Sequence, residues 1–130
     1  MIFDTSFIID AMRNNEQARK KLEEIISGGK LQIITTPTIF ELYSGVAQSE
    51  KTELEKKKII HTISNLITWH LDNLAAEKGG EIHGKLIKDG QPIDSIDCMI
   101  AAITIISGEK LLTKNIKHFS RISGLEIETY

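Results

Sequence analysis

The sequence is short of several things, and each shortage excludes a class of explanation. Its 130 residues include one cysteine, Cys98, so no disulfide can close within the chain. No apolar run is long enough to span a bilayer. No basic-then-apolar leader precedes the first strand-like run, so a reducing, cytoplasmic setting is expected. The formal net charge is −2, which leaves no global basic field to advertise nucleic-acid binding, although a local basic stripe suffices for that. The four histidines, His61, His70, His83 and His118, are scattered and form no Cys/His cluster at zinc spacing. There are no repeats, no low-complexity tract and no linker.

What is present is ordinary for a globular protein. Apolar residues make up 41% and charged residues 26%, and the length suits one domain over residues 1–130. Cys98 is followed by Met99, Ile100, Ala101 and Ala102, a setting for a buried apolar thiol and not for a nucleophile.

Strand-like and helix-like patterns alternate along the chain. Met1 to Phe3, Leu31 to Ile34, Ile67 to Leu71, Leu111 to Thr113 and Leu125 to Thr129 read as short strands. Between them, helical spacing covers Phe7 to Met12 and Glu16 to Ser27, with Gly28-Gly29 as a stop. Thr35-Thr36-Pro37-Thr38 starts another helix through Val46. An amphipathic stretch follows from Glu50. Asp72 to Lys88 is helical in pattern but weakened by Gly79, Gly80 and Gly84. Asp94 to Ile106 is a strongly apolar helix, and Lys114 to Arg121 a basic turn or short helix. The alternation predicts an α/β fold with a parallel sheet.

Four acids stand near the starts of three helices: Asp4, Glu41 and the pair Asp94 and Asp97. In a parallel α/β sheet, every helix that follows a strand or leads into the next one starts at the same sheet edge, and ligands bind at that edge. The four acids therefore belong to one rim. Carboxylates converging in a partly desolvated cleft stay ionised when a cation sits between them. Hard oxygen donors select Mg²⁺ or Mn²⁺ over zinc, and such a site suits phosphoryl-transfer or phosphodiester chemistry.

Each acid also has an ordinary structural reading. Thr38 to Glu41 matches a capping box. Asp94 and Asp97 fit an N-cap followed by a dipole-compensating acid. Asp4 and Ser6 can cap the first helix, and Asn115 the last. These readings explain the acids one at a time and not their common rim. Asp10 reads as a surface helix residue, Trp69 as core or interface, and Tyr43 and Tyr130 carry no signal. Lys110, Lys114, Lys117, His118 and Arg121 form a basic segment beside the rim, either a solvated face or a cradle for a phosphate backbone.

Four segments, in this order, resemble the PIN-domain family, and within it the VapC-type toxins of prokaryotic toxin–antitoxin pairs. They are Ile2-Phe3-Asp4-Thr5-Ser6-Phe7, Thr36-Pro37-Thr38-Ile39-Phe40-Glu41, Pro92-Ile93-Asp94-Ser95-Ile96-Asp97-Cys98 and Leu111-Leu112-Thr113-Lys114-Asn115. The resemblance implies a PIN-like three-layer sandwich, with about five mainly parallel strands flanked by helices. It implies an Mg²⁺- or Mn²⁺-dependent ribonuclease, a homodimer, and inhibition by a small VapB-like antitoxin. Asp4 and Asp97 are then the expected metal ligands, Glu41 orients the attacking water or completes the metal shell, and Asp94 supports. Ser6 and Asn115 assist, while Lys114, Lys117 and Arg121 hold RNA. Two positions depart from the family pattern: Asn115 stands where many members carry a fourth acid, and Asp94 where many have glycine.

Two other classes compete with this reading. A Mg²⁺-dependent phosphoryl-transfer α/β domain places its acids mainly on strand ends, unlike Glu41, Asp94 and Asp97. A PIN-like module that binds RNA or protein without cleaving it is compatible with an amide at Asn115.

Overall fold

Alternate residues of the strands decide the layering. In the computed structural model, which describes all 130 residues, β1 (Ile2–Phe3) lies between β2 (Ile33–Thr35) and β4 (Leu111–Leu112). β3 (Ile67–Trp69) and β5 (Ile127–Glu128) flank them, giving the order β3-β2-β1-β4-β5 with every pairing parallel. Ile2 is in register with Ile33 and Leu111, and Phe3 with Leu112. Successive side chains of a strand point to opposite faces. Ile2, Ile33 and Leu111 accordingly pack into one core, and Phe3, Ile34 and Leu112 into another.

Helices cover both faces. α1 (Thr5–Met12), α2 (Glu16–Ser27), α3 (Thr36–Ala47) and α4 (Thr52–Ser64) contribute Phe7, Ile25, Leu42 and Ile59 to the core that holds Phe3. α5 (Asn73–Lys88), α6 (Ser95–Ser107) and α7 (Ile116–Phe119) contribute Leu86, Ile100 and Phe119 to the core that holds Ile2. The result is a three-layer α/β sandwich with a five-stranded parallel sheet, the expected architecture.

Local chemistry accounts for most boundaries. Asn15 accepts from the Ala18 N–H at 3.1 Å to start α2, and Asp72 from the Ala75 N–H at 2.8 Å to start α5. Gly108, at φ 66°, ends α6 in the left-handed conformation that favours glycine. The three glycines expected to weaken α5 do not interrupt it. Gly79 lies against α6, where a Cβ would stand 3.5 Å from the Cys98 carbonyl oxygen and 3.6 Å from the Ala102 Cβ. Those are ordinary van der Waals distances, so the packing of α5 on α6 leaves room for a Cβ and does not itself require glycine. The strands are shorter than the apolar runs that announced them: β2 begins at Ile33 and β3 ends at Trp69.

Candidate active site

In the sheet, β1 and β4 are neighbours although the chain leaves β1 for β2 on the other side. This is the switch point where a crevice opens beyond the C-terminal strand ends. Asp4 follows β1 directly, and Thr113 to Asn115 follow β4.

Asp4 occupies the cap position of α1 in extended conformation, yet its carboxylate caps no helical N–H. Its Oδ2 accepts from the Ser6 hydroxyl at 2.8 Å and from the Thr113 hydroxyl at 2.6 Å. Asp4 is 4% exposed. The cap readings of Asp4 and Ser6 therefore give way to a buried hydroxyl–carboxylate contact.

Glu41 is not part of a capping box. Thr35 is the cap of α3, and its Oγ1 accepts from the Thr38 N–H at 3.3 Å and lies 2.9 Å from the Thr38 hydroxyl. That shifts the helix start upstream and puts Glu41 beyond the first turn, where its carboxylate accepts from the Thr5 hydroxyl. Asp94 does cap α6, its Oδ1 accepting from the Ile96 N–H at 2.8 Å. Asp97, in the first turn of α6, is 8% exposed and sets its Oδ2 3.1 Å from Nδ1 of His118. Asn115 stands at the start of α7 without capping it. Its N–H donates to the Thr113 hydroxyl at 2.9 Å, and its amide nitrogen is 2.8 Å from His118 Nδ1.

Burial pushes the Glu41 carboxyl above its ordinary pKa. The Thr5 hydrogen bond opposes this, and the charges of Asp97, Asp4 and Asp94 add to it. Burial likewise raises Asp97 against the opposing His118 contact, with Asp4 and Asp94 adding repulsion. The four acids thus share one electrostatic neighbourhood. No lysine or arginine pairs with any of them, and the one basic side chain in contact with them is His118, whose Nδ1 lies against Asp97. Their oxygens are donors of the kind that hold a hard divalent cation. No three side chains already surround a point closely enough to hold an ion. Thr5 holds Glu41, and His118 holds Asp97.

A profile of the PIN domain matches residues 1–125. The chain belongs to the PIN-domain family. Among its curated relatives are the ribonuclease VapC19 of Mycobacterium tuberculosis, 29% identical over 126 residues and 96% of each chain, and the tRNA(fMet)-specific endonuclease VapC of Shigella flexneri, 27% identical over 99% of this chain and 96% of the relative. Among solved structures, VapBC2 of Rickettsia felis bound to a DNA fragment from its promoter superposes with a TM-score of 0.89 at 27% identity, covering 100% of this chain and 99% of the other. DNA-bound VapBC from Salmonella typhimurium gives 0.87 at 29% identity, with 98% and 96% covered.

Within this PIN fold the basic segment is less uniform than its sequence suggested. Lys114 is not free: its Nζ lies 2.8 Å from Asp10 Oδ2 and 4.6 Å from the centre of the Tyr130 ring. The Tyr130 hydroxyl donates to the same Asp10 oxygen at 3.0 Å, and its ring stands edge-on to Phe7. The Lys114 hydrogen bond holds the Asp10 carboxyl below its usual pKa. Asp10 is therefore not a plain surface residue, and Tyr130 has a defined place. Lys117 is exposed, and Arg121 donates to the Pro92 carbonyl at 3.2 Å. Sequence reasoning missed Thr5, Thr113 and the contact of His118 with Asp97. Thr113 directly follows β4, the neighbour of β1, and that position was its one available signal. Cys98 is buried as expected, and burial pushes its thiol up to about 11.

Proposed function

We propose that this PIN protein is a divalent-metal-dependent endoribonuclease of the VapC toxin type, acting on RNA phosphodiester bonds and restrained by a small VapB-like antitoxin. One observation carries the reading: acids from three separated segments gather at the sheet's switch point with no lysine or arginine to neutralise them. Such a charge deficit calls for a cation. Relatives along the whole chain are named ribonucleases, and solved neighbours are VapBC complexes.

Asp4 and Asp97 would hold Mg²⁺ or Mn²⁺, directly or through water. When bound, such an ion supplies a polarised phosphate oxygen and a water of lowered pKa. Ser6 and Thr113 both donate to Oδ2 of Asp4, which fixes the carboxylate and leaves Oδ1 unengaged. Glu41, restrained by Thr5, orients the attacking water. Its raised pKa suits a group that takes up a proton. Asp94 is committed to capping α6, so its part is to add negative charge at the rim. Asn115 offers a neutral amide where another acid would add repulsion. Lys117 and Arg121 lie beside the crevice to meet the RNA backbone, and Lys114 does so only by sharing its charge with Asp10. The protein works as one PIN unit in a homodimer. No helix is long and apolar enough to cross a membrane, and the cytoplasm is the proposed setting.

An RNA cleavage assay tests this reading. Cleavage is expected with Mg²⁺ or Mn²⁺ and not with EDTA, and Asp4→Asn is expected to abolish it while leaving the far-UV circular dichroism unchanged. Undiminished cleavage by purified Asp4→Asn would refute the assignment. RNA binding without metal-dependent cleavage would instead favour a non-catalytic PIN module.

A further inference from the structure

Resting on the ribonuclease reading above, we infer that Asp10 competes with RNA phosphate for the ammonium of Lys114. Tyr130 keeps Asp10 in place, and the pair lowers the protein's affinity for RNA.

The contact joins three distant parts of the chain. Asp10 lies on α1, Lys114 comes shortly after β4, and Tyr130 shortly after β5. Lys114 Nζ donates to Asp10 Oδ2 at 2.8 Å, and the Tyr130 hydroxyl donates to the same oxygen at 3.0 Å. The ammonium stands 4.6 Å from the centre of the Tyr130 ring, a cation–π distance. Tyr130 is seated in turn, its ring 4.9 Å from that of the buried Phe7. Asp10 is therefore a fixed anion and not a counter-ion that drifts off when a phosphate approaches.

This cluster borders the crevice. Lys114 stands between Thr113, whose hydroxyl is 2.6 Å from Asp4 Oδ2, and Asn115 at the start of α7. Ser6, which donates to Asp4, also acts on the Tyr130 hydroxyl, and the charge of Asp4 reaches that hydroxyl too. The Lys114 side chain is 37% exposed and that of Asp10 25%, so a strand of RNA can meet both.

Carboxylate and phosphate are oxyanions that seek the same partner. An ammonium has three protons and can touch both, but its single charge then serves two anions that repel each other. The phosphate is held less firmly than by a lysine without a carboxylate on it. Beside a rim of four acids, which already repels a phosphate backbone, that loss is not made good locally. As a staple the pair contributes little, because partly exposed ion pairs add little stability. Asp10 and Tyr130 are thus positioning residues that act on RNA through Lys114.

Fluorescence anisotropy of a labelled single-stranded RNA of mixed sequence tests this, with Ca²⁺ in place of Mg²⁺ and KCl varied. Asp10→Asn is expected to bind that RNA up to about fivefold more tightly than the wild type at low salt, the scale of a partly exposed ion pair. Its plot of log affinity against log salt is expected to steepen by up to about 0.7, the increment for one further phosphate contact on a single strand. Lys114→Gln is expected to weaken binding more in the Asp10→Asn background than in the wild type, which separates competition from the mere loss of a negative charge. Tyr130→Phe, which releases Asp10 and keeps the ring, is expected to fall between the wild type and Asp10→Asn. Urea unfolding is expected to show all four variants folded. Equal affinity and salt slope in Asp10→Asn and the wild type would overturn the competition and leave the ribonuclease reading standing. So would a gain that persists in full when Lys114 is replaced. A wild-type protein that neither binds nor cleaves RNA would overturn both.

Discussion

Thr113→Val deletes one oxygen from the site and keeps the shape of the side chain. Thr113 is fully buried, and its hydroxyl does two jobs: it donates to Asp4 Oδ2 at 2.6 Å and accepts the Asn115 N–H at 2.9 Å. A hydrogen bond to a charged group contributes about 1.5–3 kcal/mol, and a donor left without a partner costs about 1–3 kcal/mol more. Asn115 is only half-buried, so water recovers part of the second term. The expected loss of stability is about 2–4 kcal/mol. Thr113→Ser keeps the hydroxyl and loses one methyl group, a change of about 1 kcal/mol. Urea unfolding followed by the fluorescence of Trp69, the one tryptophan, measures both variants. The two should separate clearly, and RNA cleavage should fall in the valine variant while surviving in the serine variant. A valine variant within about 0.5 kcal/mol of the wild type, the range of an indifferent surface change, would refute the role given to this hydroxyl.

Two further outcomes follow from burial. The folded pKa of Glu41 is raised, so the folded state holds that proton more tightly than the unfolded chain does. The stabilisation is present below the unfolded value and is lost as pH rises through the raised one. Metal-free Glu41→Gln should therefore melt above the wild type at pH 7, and the gap should close near pH 4, about the ordinary carboxylate value. An equal gap at both pH values, read by thermal melts, would contradict the burial and the repulsion assigned to Glu41. Cys98, with its thiol pushed up to about 11, should resist Ellman's reagent at neutral pH until urea unfolds the chain. Immediate labelling of the folded protein would show that the thiol is open to solvent.

The rim of acids was legible because it depends on chain order. Once strands and helices alternate, Asp4, the start of α3 and the start of α6 must reach the same sheet edge. What single residues do there was less legible, because helical caps and metal ligands draw on the same residue types. Thr35 displaced Thr38 as the cap of α3, and only that one-turn shift separates Glu41 from a capping box. Asp94 went the other way and does cap α6. Contacts across the chain left no local mark. Thr113 reaches Asp4 from a distant strand, and Tyr130 closes over Asp10 and Lys114 from the far end of the sequence. His118 was hidden inside a basic run, where its charge type suggested a solvated face and its position beside Asp97 could not be read.

The most direct measurement is anomalous diffraction from crystals soaked in Mn²⁺. The expected result is a peak between the carboxylates of Asp4 and Asp97, lost in Asp4→Asn crystals. A peak elsewhere, or none at saturating Mn²⁺ with the crevice open to solvent, would contradict a shared ion at the switch point.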